Sequence, residues 1–178
     1  MTKGWKLYWL LVVATLAVYF AMVLWSLPAV SLAAGGLMPF DMRPSGYSFD
    51  EALAFVIAIT PEGSSFYQNT QQLLDTTYPA MLATVLAIAL WNLARRFPTW
   101  MRWLLVALPV VGSLADYLEN AAVSRMLDAG ASGLTADMVS AASRWTLIKS
   151  GMTGVGMLVL LGLLIGLAAR KLFKGKLT

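Results

Sequence analysis

The 178-residue sequence contains no cysteine and no histidine, and only 12% of its residues are charged. Without cysteine it has no disulfide, no thiolate metal site and no thiol redox chemistry. Without histidine it lacks the usual ligand of haem, zinc and non-haem iron, and the side chain that titrates nearest neutral pH. Any general acid or base must therefore be Asp, Glu, Lys or Tyr. A soluble domain carries about 25% charged residues, whereas 59% of this chain is hydrophobic. Such a composition is built for lipid, and it implies one all-α integral membrane domain over residues 1–178 with no soluble domain attached.

The apolar runs divide that domain. From Leu7 to Leu27 the chain is nearly continuous Leu, Val, Ala and aromatic residues, about 30 Å of helix and too long for a signal-peptide core. Pro28 is expected to end this first spanning helix, 7–27. Ser48-Phe49-Asp50-Glu51 reads as a capping box opening a helix over 49–59. That helix is too short to span, so it is expected to be interfacial or re-entrant, between helices 1 and 2 on the extracytoplasmic side. Thr60-Pro61-Glu62-Gly63 stops it. The second spanning helix, 66–95, starts polar and becomes apolar only after Asp75-Thr76-Thr77-Tyr78-Pro79, with a kink expected at Pro79. A basic turn at Arg95 and Arg96 leads to the third, 100–127, with Trp100 and Trp103 at the interface. Gly130 and Gly133 break the chain, and Thr135 caps the fourth, 136–170. The expected architecture is an integral membrane four-helix bundle. Gly162 and Gly166 form a GxxxG pair, which implies close packing either inside the bundle or across a homo-oligomer.

The two signs of charge separate along the chain. Lys3, Lys6, Arg95, Arg96, Arg102, Arg170, Lys171, Lys174 and Lys176 gather at one end of these helices, and every Asp and Glu lies at or towards the other. By the positive-inside rule both termini are cytoplasmic, in a multi-pass protein of the cell inner membrane. The basic groups are membrane-flanking runs, so nucleic acid is not an expected partner and membrane lipids are.

The chain is organised around Gly112-Ser113-Leu114-Ala115-Asp116-Tyr117-Leu118-Glu119-Asn120, which puts two carboxylates and an amide on one helical stripe at i, i+3 and i+4. At 1.5 Å per residue, Asp116 lies about 21 Å and Glu119 about 26 Å from the level of Arg102. Asp75 lies about 30 Å from Arg95, and Lys149 about 31 Å from Arg170. Three helices thus bring Asp75, Glu119 with Asn120, and Lys149 to one level near the acidic end, with Asp116 slightly deeper. A charge facing lipid at Asp116 costs about 3 kcal/mol or more, so it should face inward and pair with Lys149. Three carboxylates against one lysine do not balance.

Asp116, Glu119 and Lys149 are the candidate catalytic groups, as acid, base and anion stabiliser for an amphipathic substrate. Asp75, Asn120, Gln71, Gln72, Tyr78, Tyr117 and Arg144 are candidate ligand contacts. The carboxylate oxygens could hold Mg²⁺ or Ca²⁺, but their spacing matches no metal motif, and no metal or cofactor is expected. Two alternatives stand beside a pocket that binds or acts on a small or lipidic ligand. One is an accessory or structural subunit whose buried charges only fix helix packing. The other is a proton- or cation-coupled transporter that works as an oligomer.

The strings Pro61-Glu62-Gly63, Tyr67, Asp75, Tyr78-Pro79 and Asp116-Tyr117-Leu118-Glu119-Asn120 together resemble a pattern found in small bacterial four-helix integral membrane proteins. The resemblance covers most of the chain and implies the fold. It carries no activity with it.

Overall fold

The computed structural model describes residues 2–174, and among them all regular structure is helical. There are four long helices, α1 (Lys3–Ala33), α3 (Pro61–Leu93), α4 (Thr99–Gly133) and α5 (Ala136–Lys174), each long and apolar enough to cross a membrane. A short helix, α2 (Phe49–Ala58), sits between the first two of these. Lys176, counted above in the basic end, lies outside the described residues.

Pro28 does not end α1. The helix passes through a π turn at Met22–Ser26 and continues to Ala33. Proline costs one N–H bond and crowds the carbonyl a turn earlier, and a widened turn placed just ahead of it absorbs both. The start of α3 also differs, at residue 61 instead of 66. Thr60 accepts a hydrogen bond from the Gly63 N–H at 3.0 Å, and Pro61 occupies the first turn, where no N–H is needed. The four residues that stop α2 therefore also start α3. A second π turn, Tyr67–Gln71, follows in α3, and it packs against the π turn of α1. Pro79 and Pro109 are both accommodated inside long helices.

Helix α4 lies between α3 and α5 and packs along both, while α1 packs against α3 and has no substantial packing with α5. Helix α4 approaches α5 tightly at Gly112, where an added Cβ would lie 2.5 Å from Thr153 Oγ1 and 3.3 Å from the Thr153 backbone nitrogen. Only glycine fits there, which brings the polar stripes of the two helices face to face. Gly130 leaves helical geometry with φ 62, a value that favours glycine, and begins the reversal into α5. Thr135 accepts from the Met138 N–H at 3.3 Å as the expected cap.

At the acidic end, α2 and the loop before it form a cap. Phe40 and Phe55 are fully buried, with ring centroids 4.7 Å apart, and they join Tyr47, Tyr67, Val123 and Met126 in one apolar cluster. The capping box of Ser48 and Glu51 is formed as the sequence implies. The Tyr47 N–H donates to Ser143 Oγ at 3.0 Å, which ties the loop to α5. Gly162 and Gly166 are exposed and face open space, so the GxxxG pair is not used inside the chain.

Candidate functional site

Beneath the cap is a cavity of about 310 Å³. Asp41, Asp75, Asp116, Lys149 and Ser150 line its polar end. Leu82, Ala83, Leu86, Pro109 and Met157 line the rest, with Met22 and Val23 of α1 at the side. Helical periodicity makes these walls. Asp75, Tyr78, Pro79, Leu82 and Leu86 follow one face of α3, and Lys149, Ser150, Thr153 and Met157 one face of α5.

Lys149 is the hub. Its ammonium lies 3.0 Å from Asp116 Oδ1 and also pairs with Glu119 Oε2, with side-chain exposures of 12% for the lysine, 15% for Asp116 and 0% for Glu119. The other oxygen of Glu119 accepts from the Thr146 hydroxyl at 2.5 Å. Glu119 is thus held from two sides, behind the lysine and outside the cavity lining. Asp116 and Lys149 are the members of this trio that reach the cavity.

Asp75 has no such support. It is 4% exposed, it lines the cavity, and its Oδ2 has no hydrogen-bond partner among the described residues. Asp41 enters from the loop between α1 and α2, where Gln71 Nε2 donates to its Oδ2 at 3.4 Å. Gln71 in turn accepts from the Ser26 hydroxyl at 2.5 Å, so the two π turns are joined through a side chain that reaches Asp41. Burial raises the Asp41 carboxyl above its ordinary value, and the Lys149 charge opposes the rise. The Tyr47 phenol nearby is pushed up, first by burial and then by Glu119, and stays protonated.

The structure brings together Asp75, Asp116, Tyr78 and Lys149 in the cavity wall, with Glu119 directly behind. Gln71, Gln72 and Asn120 do not line it. Gln72 Nε2 donates to Ser124 Oγ at 2.7 Å and to the Asn120 carbonyl at 3.1 Å, and Asn120 Nδ2 donates to the Asp75 carbonyl at 3.1 Å. These amides fasten α3 to α4. The Tyr117 hydroxyl donates to the Thr76 carbonyl at 3.0 Å on the same seam, and Arg144 is exposed and away from the cavity.

Asp41 is the residue that sequence reasoning misses, because a loop has no helical register from which to compute depth. Its signal is an acid directly after Pro39 and Phe40, both buried. Thr146 is missed although it lies at i−3 from Lys149 on the same face. Among the described residues no three acidic groups are arranged to hold a metal ion. Compared with protein families, with curated proteins and with solved structures, the chain finds no match.

Proposed function

We propose that the chain is a multi-pass protein of the bacterial inner membrane, with both termini cytoplasmic, and that its cavity, towards the extracytoplasmic side, binds a small or lipidic amphiphile. The four long helices then form the membrane bundle, and α2 with its loop is an interfacial cap. The charge separation supports this orientation by the positive-inside rule. The observation that carries the binding reading is the division of the cavity. About 310 Å³, the low end of the usual range for ligand sites, is charged at one end and mainly apolar over the remainder. Asp116 and Lys149, adjacent and partly exposed to the cavity, are the pair that would do acid–base work on a bound head group.

The packing alternative is favoured by one specific observation and only for part of the cluster. Glu119 is fully buried and held by Thr146 and Lys149, as a structural buried pair should be. The transporter reading gains no support from the lining, which beyond the hydroxyls of Ser113 and Thr153 becomes apolar at Pro109, Leu86 and Met157.

The test is extraction of the wild type and of Ser113→Trp, a change at a serine in the cavity lining that fills the space without changing a charge, followed by mass spectrometry of what co-purifies. A compound present with the wild type and lost from the variant supports the reading. Identical extracts from the two proteins contradict it.

A further inference from the structure

Resting on that reading, we infer that the ligand is a cationic single-chain amphiphile, with an ammonium head among the carboxylates, and that it enters sideways from the bilayer between α1 and α5. Two independent features lead there, the charge count at the polar end and the gap between two helices.

The charge count concerns what remains after the internal pairs are made. Lys149 is already engaged by Asp116 and Glu119. Asp41 and Asp75 remain on the wall with no cation of their own among the described residues, and Asp75 Oδ2 is buried without any partner. An ionised carboxylate accepts hydrogen bonds and donates none. A ligand head that donates protons and carries positive charge satisfies it, and an anionic head does not. An ammonium offers several donors to Asp75 and Asp41 together, whereas a phosphate or carboxylate head would meet like charge there.

The gap concerns access and length. Tyr19, Met22 and Val23 of α1 and Lys149, Thr153 and Met157 of α5 wall the same cavity from opposite sides, yet α1 and α5 do not pack substantially on each other. The same pair of helices also walls a second crevice of about 930 Å³ towards the basic end, through Tyr8 and Leu11 on α1 and Leu160 and Leu164 on α5. Met157 of the first space and Leu160 of the second are one helical turn apart. On α5 the two linings share one face, with Lys149, Thr153 and Met157 in the first and Leu160 and Leu164 in the second. From Asp75 to Asn92 the two spaces together cover about 26 Å along the bundle. Joined end to end along α5, the two spaces make the inferred track, which begins at a cluster of carboxylates, and an alkyl chain lies along it while its head stays at Asp75.

The experiment uses the full chain in phosphatidylcholine nanodiscs and compares radiolabelled dodecylamine, dodecanol and dodecanoate, with empty nanodiscs as background. Saturable binding of dodecylamine, absent for dodecanoate and weak for dodecanol, is expected. Asp75→Asn should weaken dodecylamine by roughly thirtyfold or more, the usual loss on removing one partner of a buried charge pair. Leu160→Trp, which narrows the lower track without touching a charge, should weaken dodecylamine and leave short butylamine unchanged. Equal or tighter binding of dodecanoate or dodecanol overturns the cationic head while leaving amphiphile binding in place. Saturable binding of none of the three overturns both. An undiminished dodecylamine affinity in Leu160→Trp overturns the track between α1 and α5.

Discussion

The two ends of this molecule are built on different terms. At the acidic end, side chains from the cap, α3, α4 and α5 close around Phe40, Phe55 and Met126, all fully buried, as in a water-soluble core. Towards the basic end α3 and α4 still meet, at Trp91, Arg102 and Trp103, but α1 and α5 stand apart. Leu160 and Leu164 border an open crevice, Gly162 and Gly166 meet nothing, and only 6% of the most apolar stretch of α5 is buried. The difference follows from the solvent. Against water, closing over apolar side chains is strongly favourable, whereas lipid tails are as apolar as leucine and give helices no such reason to close. The polar cluster sits at the junction, roofed by a tight core and floored by a loose one.

The largest effects are expected where the core is closed. Phe55→Ala should cost about 3–5 kcal/mol in chemical unfolding, because a fully buried ring leaves a void. Leu164→Ala, at 45% exposure, should cost under about 0.5 kcal/mol. Equal costs would abolish the distinction between the two ends. At the junction, Lys149→Met should cost about 3–5 kcal/mol by stranding Glu119, and Lys149→Met with Glu119→Gln should recover most of it. At the rim of the cap, Ser48→Ala should cost about 1 kcal/mol through the lost cap of α2. Asp41 gives the smallest effect and the one with a pH signature. Its folded carboxyl titrates above the ordinary 3.8, so the native state holds the proton more tightly than the unfolded chain does. The contribution of Asp41 to stability is therefore greatest at low pH and declines as pH rises from 3.8 through the raised value. Asp41→Asn should remove that decline, measured as the difference in melting temperature between the two proteins across the range.

The sequence made the loose end and the depth of the charged groups legible, because both depend on quantities that are local or additive. Four apolar runs count out the long helices, and 1.5 Å per residue sets Asp75, Asp116, Glu119 and Lys149 near one level. Which face each helix turns inward was readable on α4, where Asp116, Glu119 and Asn120 share a stripe. The π turns were not readable. The one in α1 carries that helix past Pro28, and it is joined to the one in α3 through Ser26 and Gln71, far apart in sequence. The division of labour among the amides was equally hidden, since Gln72 and Asn120 have the same depth as ligand contacts and differ only in which neighbour they meet. Asp41 belongs to the tight end, and its position is a property of the cap's tertiary fold.

The comparison of the ends meets at Asp75, buried like the core above it and unpartnered like the crevice below. If the cavity carries acidic groups beyond those the fold needs, the melting temperature of Asp75→Asn should exceed that of the wild type, corresponding to about 0.5–2 kcal/mol, the usual gain when a group held at a cost to stability is replaced. A lower melting temperature would show that the Asp75 carboxylate is a satisfied structural group, and would contradict the assignment of this cavity as a binding site.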